Sequence, residues 1–343
     1  MKLSIIVPVY NMAADGKLEY CLDSLVNQTI DDYEIIAVDD CSTDSSCEVI
    51  KDYEARYPQK IKAIYSSVNK RQGGAKNLGL VEAQGEWIGF IDSDDWVTVD
   101  FYERLLTIAA ETGADIVGCD YHLTARHSME IGQVVAANKP AQTGELTKEK
   151  YRSLILDGGS LVVKIYRRGI ILDYPNRFPE NIFYEDNAIG NSWWLRAKRF
   201  EYLPEPLYYY YQHPASTVHT ITEKRCLDRM AAARIMLAEA KQFGFYNDYL
   251  PEIEYKFTLL FYINTLFSYL RGVKQRKYRF VKEIGREMKE QFPDFMENQY
   301  FKERHDAEVK KLLTMHMRSN FIFICYFKLL WFYRDLRKKE KVK

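Results

Sequence analysis

The sequence predicts an α/β fold that is built on a mostly parallel sheet and carries a helical extension at its C-terminal end. In roughly the first 121 residues, short β-branched apolar runs alternate with segments of helical spacing. These runs are apolar throughout, which is typical of strands buried on both faces of a parallel sheet. From about Thr222 onward the pattern is helical to the end. Together these observations indicate an open α/β sheet followed by helices.

Five predicted strands occupy the first part of the chain, with the sequences LSIIVPV, YEIIAVDD, IKAIYS, EWIGFID and ADIVGCDY. Four predicted helices separate them, with the sequences LEYCLDSLVNQ, STDSSCEVIKDYEARY, GGAKNLGLVEAQG and VDFYERLLTIAAETG. Ser42, Thr43 or Asp44 is expected to cap the second helix. Asp100 is expected to cap the fourth, and Gly85 is expected to close the third.

The pattern becomes less regular after residue 122. The run SLVVKIYRRGII predicts a strand and a short helix, and FPENIFYEDNAIGNSWWLR predicts a loop that leads into a helix. The run RFEYLPEPLYYYYQHPAS predicts two extended pieces that are broken by proline.

Composition narrows the class of protein. The chain has 343 residues, of which 47% are hydrophobic and 28% charged, as in a globular protein. Lys plus Arg and Asp plus Glu are both 48, so the net charge is zero and nucleic acid is not an expected partner. Six scattered cysteines without zinc-ligand spacing indicate reduced thiols in a cytosolic protein. We expect neither a signal peptide nor a membrane-spanning helix.

The stretch WIGFIDSDDWV ends a predicted strand with three carboxylates, Asp92, Asp94 and Asp95. Capping of the next helix is one interpretation, although Asp100 suits that role better. A calcium loop is excluded because its ligand spacing is missing. A divalent cation held by one or two carboxylates and a substrate phosphate explains the cluster best, because it neutralises the repulsion between them. Ligands of such sheets bind beyond the carboxyl ends of the strands.

Four blocks, SIIVPVYN, VDDCSTD, GGAKNLG and FIDSDDW, occur in this order, and together they resemble the family 2 glycosyltransferases. That resemblance implies a GT-A fold, which is Rossmann-like, and a nucleotide-sugar donor. The later blocks VVKIYRR, YEDN and YYYYQHPAS resemble a bacterial subgroup that builds surface polysaccharides and wall teichoic acids. The match covers roughly the first 215 residues. It implies a nucleotide-sugar-binding half at 1–121, an acceptor-binding and catalytic half at 122–221, and a helical region at 222–343.

The resemblance implies donor-binding roles for residues in each block, and these are Pro8, Tyr10, Asn11, Asp39, Asp40, Gly74, Lys76, Asp92, Ser93, Asp94, Lys164 and His213. Asp94 matches the more direct metal ligand, and Asp92 meets the ribose or metal-bound water. The implied cofactor is Mn²⁺ or Mg²⁺. Lys76 stands where the family usually has arginine, so it keeps the charge but loses the bidentate fork.

Several of these residues also have plain structural interpretations. Tyr10 would stack on a base, or it is a core tyrosine at a strand end. Lys76 would face a diphosphate, or it belongs to a solvated helix face. Lys164 is a phosphate or acceptor contact in the implied scheme, and His213 is either near the diphosphate or structural.

For the reaction, the resemblance implies that Asp186 is the catalytic base and that Glu185 precedes it. The sequence alone does not choose between the two carboxylates, and a pair favoured by the helix dipole is the alternative. One base without a second carboxylate nucleophile predicts inversion at the anomeric carbon. The expected function is transfer of a sugar, from a UDP-sugar by family frequency, to a glycan or lipid-linked acceptor in surface polysaccharide biosynthesis. An inactive relative that serves as a partner in an assembly complex is the alternative.

The C-terminal segment 319–343 joins a dense aromatic and aliphatic run to a basic tail. Its composition predicts an interfacial helix on anionic lipid, and hence a cytoplasmic enzyme that is peripheral on the inner face of the membrane. A core-packed helix and an oligomer interface are the alternatives.

Overall fold

The computed structural model describes residues 1–129, 132–212 and 221–341, with side chains up to residue 334. Its strands are β1 Leu3–Val9, β2 Tyr33–Asp39, β3 Ile61–Tyr65, β4 Trp87–Phe90, β5 Trp96–Val97, β6 Ile116–Thr124, β7 Gln133–Val135, β8 Gly144–Glu145, β9 Lys164–Arg167 and β10 Arg199–Tyr211. The helices of the sheet region are α1 Lys17–Val26, α2 Ser46–Arg56, α3 Arg71–Glu82, α4 Phe101–Thr112, α5 Lys148–Asp157, α6 Arg168–Leu172 and α7 Glu185–Arg196.

Helices account for most of the chain after residue 221. They are α8 Glu223–Gln242, α9 Leu250–Phe257, α10 Thr265–Gly272, α11 Tyr278–Gln291, α12 Gln299–Arg304, α13 Ala307–Arg318 and α14 Asn320–Lys341. A π-helical segment, Thr258–Asn264, joins α9 to α10. The predicted helical extension is therefore confirmed.

The main sheet has the order β3-β2-β1-β4-β9-β6-β10-β5. Strands β3, β2, β1 and β4 are parallel, and β6 and β10 form another parallel pair. Strand β9 enters antiparallel between β4 and β6. The α/β fold class is confirmed, and the antiparallel strand marks the point where the regular strand–helix alternation of the sequence ends. Because β1, β2 and β4 are parallel, the loops that follow them emerge at one edge of the sheet.

Four local expectations need correction. Helix α3 ends at Glu82 and not at Gly85, whose Cβ position would lie only 2.4 Å from the backbone N of Ser4. Gly85 is therefore needed for close passage beside β1. Asp100 precedes α4 but makes no capping hydrogen bond, and its carboxylate lies 3.6 Å from Arg104.

The other two expectations concern α2 and β10. Ser45, and not one of the three predicted residues, occupies the cap position of α2, although Asp44 accepts a hydrogen bond from the backbone N of Ser46 at 3.0 Å. The segment around Pro206 is one strand, β10, whose register shifts on either side of that proline. A bulge thus absorbs the proline without ending the strand.

The helical region has its own core around His316, which is 2% exposed. Its Nε2 donates to the carbonyl O of Val281 at 2.9 Å, and its Nδ1 accepts from the hydroxyl of Tyr262 at 2.6 Å. A neutral imidazole satisfies both bonds, with one donor and one acceptor. Burial lowers the pKa of His316 to about 4.

Helix α14 packs one face on the helical region through Phe323 and Phe327, which are buried. Its other face exposes large apolar side chains, namely Phe321, Ile322, Leu329, Phe332 and Tyr333. Within the described ranges, no helix is both long and apolar enough to cross a bilayer.

We predict that His316 makes the protein acid-labile. Its pKa is about 4 in the folded protein and 6.5 as a model value, so the unfolded chain binds more protons between these limits. The free energy of unfolding should therefore fall as pH drops from 6.5 towards 4, by about 1.4 kcal/mol per pH unit from this residue. Urea denaturation at pH 7, 6 and 5 measures the slope, and His316→Gln should reduce it. Equal slopes for both proteins would contradict this assignment.

Candidate active site

The loops after β1, β2 and β4 come together at one edge of the sheet. Val9 pairs with Asp39 across β1 and β2, and Ile6 pairs with Phe90 across β1 and β4. This register brings together three predicted groups of site residues, at positions 8–11, 39–40 and 92–94. Pro8 is itself buried in β1, whereas the Tyr10 side chain is 44% exposed. The interpretation of Tyr10 as a core residue is therefore wrong.

Asn11 connects the loop after β1 to the loop after β2 through hydrogen bonds. It adopts a left-handed conformation with φ of 54°, and its backbone N donates to the hydroxyl of Ser42 at 3.0 Å. Its side-chain Oδ1 accepts from the backbone N of Thr43 at 2.8 Å. Cys41, on the neighbouring loop, also has a positive φ, of 62°. Two non-glycine residues in this conformation at one edge are a mark of functional loops held by their surroundings.

Asp39 and Asp40 are buried and only partly hydrogen-bonded. Asp39 Oδ2 accepts from the backbone N of Ser42 at 3.2 Å, and Asp40 Oδ1 accepts from the backbone N of Lys70 at 2.8 Å. The other oxygens, Asp39 Oδ1 and Asp40 Oδ2, have no hydrogen-bond partner among the described residues. Burial raises the pKa of Asp40, and the nearby backbone N–H groups of Lys70 and Arg71 oppose this rise. Buried acceptors without partners are costly, so both oxygens suit N–H or O–H donors of a ligand.

Helix α3 begins at this edge with Arg71, whose φ is 62°. A Cβ on Gly73 would lie 2.2 Å from the carbonyl O of Pro179, and one on Gly74 would lie 2.2 Å from the Lys70 Cβ. The close approaches that require these two glycines are thus to Pro179 and Lys70. The absence of a side chain on Gly73 allows α3 to contact the loop before α7.

Lys76, in α3, does not lie on a solvated helix face, so that alternative is wrong. Its Nζ is 2.7 Å from Oε1 of Glu185, and the two side chains are only 4% and 6% exposed. Burial alone would lower the pKa of Lys76, but Glu185, Asp92 and Asp186 outweigh it and raise the pKa. The pair joins the donor side of the site to the start of α7.

The three carboxylates of the acidic loop after β4 have different surroundings. Asp95 is almost fully buried and accepts hydrogen bonds from the hydroxyl of Tyr208 and the backbone N of Tyr211, so it anchors the loop to β10. Asp92 Oδ1 accepts from Nε2 of Gln72 at 3.3 Å. Burial raises the pKa of Asp92 to about 6, Lys76 opposes this, and Asp94 adds to it. Ser93, which lies between Asp92 and Asp94 in the sequence, is buried.

These carboxylates suit a hard divalent cation, because oxygen ligands are what Mg²⁺ and Mn²⁺ prefer. Part of the raised pKa of Asp92 comes from Asp94, a repulsion that a cation would relieve. Among the described residues, no three His, Cys, Asp or Glu side chains are grouped to hold a metal ion. The donor set therefore fits a cation only when substrate oxygens complete the coordination.

Asp186 and Glu185 start α7 in different surroundings. Tyr184, just before them, has a positive φ of 66° and turns the chain into the helix. Glu185 is buried against Lys76. Asp186 is partly exposed, and its Oδ1 accepts from the backbone N and the Nδ2 of Asn187, both at 2.8 Å. The two carboxylates, which the sequence did not distinguish, thus differ in access.

Asp186 lines a cavity of about 150 Å³ together with aromatic side chains and glycine backbone, including Tyr166, Trp193, Trp194, Gly158 and Gly159. Aromatic faces of this kind pack well against the C–H face of a sugar ring. The cavity is therefore a candidate place for reacting groups near Asp186.

Lys164 lies behind this cavity. Its Nζ donates to the carbonyl O of Ser160 at 2.5 Å and lies 5.6 Å from the ring centroid of Trp194. Burial lowers the pKa of Lys164 to about 7. The structure thus places Lys164 inside the protein, and its contact with a donor remains a prediction. His213 falls outside the described residues.

Sequence reasoning missed Lys256, which also lines the Asp186 cavity. It comes from α9, and its Nζ donates to the carbonyl O of Leu156 at 3.2 Å. Burial lowers its pKa, and Asp157 opposes this. No motif marks Lys256, because only the packing of the helical region against α5 brings it to the cavity.

Comparison with known proteins identifies the class. Residues 4–171 match the family model for glycosyl transferase family 2. EpsJ of Bacillus subtilis (strain 168), an uncharacterized glycosyltransferase, is 32% identical over 250 residues, which are 72% of this chain and 70% of EpsJ. The chain therefore belongs to glycosyltransferase family 2. YibD of Escherichia coli (strain K12), another uncharacterized glycosyltransferase, is 31% identical over 219 residues, 63% of this chain and 62% of YibD. The chain thus spans less than two thirds of YibD.

A more specific similarity is to TarS of Staphylococcus aureus. The protein from strain Mu50, named poly(ribitol-phosphate) beta-N-acetylglucosaminyltransferase TarS, is 26% identical over 218 residues, 61% of this chain and 35% of TarS. A crystal structure of S. aureus TarS 1-349 in complex with UDP-GlcNAc has a TM-score of 0.68 and 21% identity, and it covers 94% of this chain and 89% of that one. This similarity confirms the GT-A core.

We predict that the Lys76–Glu185 pair is needed as a pair. Lys76→Met leaves a buried carboxylate without its cation and should cost about 3–5 kcal/mol of unfolding free energy. Lys76→Met combined with Glu185→Leu should recover most of that loss, because no buried charge is then left alone. Chemical denaturation of the two single variants and the double variant measures the coupling. Additive losses would show that the pair does not hold the two helices together.

Proposed function

We propose that this chain is an inverting glycosyltransferase that moves a sugar from a nucleotide-sugar, with UDP as the nucleotide, to a hydroxyl of a glycan or lipid-linked acceptor. In this proposal residues 1–121 hold the nucleotide-sugar, 122–221 supply the catalytic and acceptor side, and 222–343 form the helical region. The pathway is bacterial surface polysaccharide biosynthesis. Family membership supports the reaction class.

One observation carries the proposal. Nζ of Lys76 lies 2.7 Å from Oε1 of Glu185, so helix α3 on the donor side meets the start of α7, where Asp186 follows Glu185. The acidic loop lies near the same carboxylates, since Glu185 and Asp186 add to the raised pKa of Asp92. Lys76 lies among these acids. A donor held at the acidic loop would therefore present its sugar near Asp186.

The donor end of the proposal rests on the buried acids. The unpartnered oxygens of Asp39 and Asp40 would accept hydrogen bonds from the base and the ribose. Tyr10, exposed at the same edge, would stack on the base. TarS is the structural neighbour whose crystal contains UDP-GlcNAc, which favours uridine as the nucleoside here.

The proposed reaction is a single displacement. Asp186 accepts the proton of the acceptor hydroxyl while the oxygen of that hydroxyl bonds to the anomeric carbon. The bond from that carbon to the phosphate oxygen breaks, and the nucleoside diphosphate leaves with the electron pair. Glu185 is engaged by Lys76, so it does not serve as a nucleophile, and inversion follows.

Asp94 and Asp92 would hold Mn²⁺ or Mg²⁺ together with the diphosphate. When bound, the cation would supply positive charge next to the leaving group. Lys76 adds a second positive charge on the protein side, although Glu185 offsets part of it.

The alternative function is a catalytically inactive partner protein of a polysaccharide assembly complex. Such a protein would not need an accessible carboxylate beside an aromatic cavity, as Asp186 is here. Turnover distinguishes the two functions.

We predict release of nucleoside diphosphate from one donor in a panel of UDP-, GDP- and CMP-linked sugars with Mn²⁺. Chelator, Asp94→Asn and Asp186→Asn should each reduce release by at least 100-fold, and Asp186→Asn should leave nucleotide binding intact. Release is measured by coupled assay and binding by calorimetry. Asp306→Asn, a change at the cap of α13, serves as the control. Neither release nor Mn²⁺-dependent binding with any donor would favour the partner function.

We also propose that α14 lies on anionic lipid at the cytoplasmic face of the membrane. Its unpacked face exposes Leu329 by 68% and Phe332 by 65%. The sequence after Arg334 adds five basic residues that suit anionic headgroups, Arg337, Lys338, Lys339, Lys341 and Lys343. Apolar burial and charge attraction together are what interfacial helices require.

Vesicle sedimentation tests this surface. The protein should bind phosphatidylglycerol vesicles at low salt but not phosphatidylcholine vesicles, and Leu329→Ser with Phe332→Ser should weaken binding at least tenfold. Val81→Ser, at an exposed valine of α3, is the matched control. Unchanged vesicle binding in the double variant would contradict the proposal. If the double variant had a smaller molecular mass in solution than the wild type, the exposed face of α14 would be an oligomer interface instead.

A further inference from the structure

A second and larger cavity, of about 460 Å³, lies between α7, α8 and the helix pair around the π-helical segment. Its wall includes Tyr184 and Asn187 from the α7 side, and Arg229, Ser268 and Arg271 from the helical region. This volume is within the range of small-molecule binding sites. Tyr184 and Asn187 belong to the YEDN block, but no role was predicted from the sequence for them or for the other three residues.

The two arginines of this cavity are not neutralised. Arg229 Nη1 donates to the carbonyl O of Asn264 at 3.0 Å and to the hydroxyl of Ser268 at 3.1 Å, and its Nη2 donates to the hydroxyl of Tyr184 at 2.5 Å. All three partners are uncharged. Neither Arg229 nor Arg271 has a carboxylate within ion-pair distance in the part of the chain that the structure describes.

Arg271 is held by aromatic rings instead. Its guanidinium lies 4.5 Å from the ring centroid of Trp331 and 5.7 Å from that of Phe267. The neighbouring carboxylate, Glu308, is bound by Arg334 at 2.6 Å. Ring stacking orients the guanidinium while leaving its N–H groups for another acceptor.

Among the described residues of the helical region, Arg225, Arg276 and Arg318 also lack a carboxylate partner, so what distinguishes Arg229 and Arg271 is that both line one cavity. Five other arginines there form ion pairs, namely Arg234, Arg279, Arg286, Arg304 and Arg334. The cavity thus concentrates uncompensated positive charge in a recess, where it attracts anions more strongly than on an open surface.

The cavity adjoins the proposed reaction centre. Asn187, which follows Asp186, lines both this cavity and the smaller one beside Asp186. Two further guanidiniums lie next to Phe183, the residue before Tyr184: those of Arg71 and Arg225 are each 4.2 Å from its ring centroid. A ligand group in the larger cavity would therefore be a short distance from an acceptor hydroxyl at Asp186.

We infer that this cavity binds a phosphate group of the acceptor, and that the acceptor is phosphate-bearing. Guanidinium forks match phosphate oxygens, whereas a neutral glycan would gain little from two unpaired arginines. The inference rests on the proposed glycosyltransferase function and adds the chemical class of its acceptor. A polyol-phosphate chain and a polyprenyl-diphosphate-linked sugar share this chemistry, and the experiment separates them.

The test compares three acceptors in the full-length protein: a polyol-phosphate oligomer, a polyprenyl-diphosphate-linked sugar and a neutral oligosaccharide. At least one phosphate-bearing acceptor should be used, and the neutral one should be used poorly. Arg271→Gln should raise KM for the used acceptor about 10- to 100-fold with little change in kcat. Arg271→Lys keeps the positive charge but loses the two parallel N–H donors, so its KM should lie between those of the wild type and Arg271→Gln. Whichever phosphate-bearing acceptor responds identifies the source.

Arg318→Gln is the matched control, because Arg318 is an exposed arginine on α13 away from the cavity. Slow donor hydrolysis without acceptor should be equal in wild type and Arg271→Gln. Equal KM effects of Arg271→Gln and Arg318→Gln would overturn the inference, and so would efficient use of the neutral acceptor alone. Absence of donor hydrolysis and of nucleotide binding in the wild type would instead remove the proposed function itself.

Discussion

The buried pair of Lys76 and Glu185 is the constraint on which the site depends. The two residues are 109 positions apart in sequence, and their side chains meet at 2.7 Å inside the protein. Lys76 belongs to the helix that opens at the donor edge, and Glu185 begins the helix that carries Asp186. Two buried charges are tolerated only at close range, so this pair fixes the spacing between α3 and α7. It also leaves Asp186 as the accessible carboxylate.

Much of the fold was predictable because its first half follows simple rules. Continuous apolar runs placed β1, β2, β3, β4 and β6, and strand–helix alternation predicted the parallel arrangement of β1 with its neighbours. The edge that collects Asp39, Asp40 and Asp92 follows from that arrangement. Strand β9 was harder, because its antiparallel position depends on pairing with both β4 and β6 and not on local pattern.

The site residues divide along the same line. Asp92, Asp94 and Asp186 stand in short motifs, so the sequence marks them. Lys256 and Arg271 come from the helical region and reach the two cavities only through tertiary packing. The roles of side chains also depend on burial. Lys76 was expected to face a diphosphate, and in the structure it forms a buried ion pair with Glu185. Pattern predicts which strand ends carry acids, but not which charges neutralise each other.

The π-helical segment Thr258–Asn264 has a consequence for the wall of the larger cavity, to which Ser268 and Arg271 belong. A π turn holds one residue more than an α turn, so loss of a single residue would restore α geometry. Because the wider π turn already absorbs the extra residue, such a loss would change the direction in which α10 faces only slightly, whereas the same loss within an α-helical turn would rotate the rest of the helix by about 100°. Ser268 and Arg271 would therefore stay in the cavity wall after the loss of one residue from the π segment, but would leave it after the loss of one residue from α9. The π segment is thus the place where relatives can differ in length by one residue and keep the same cavity wall.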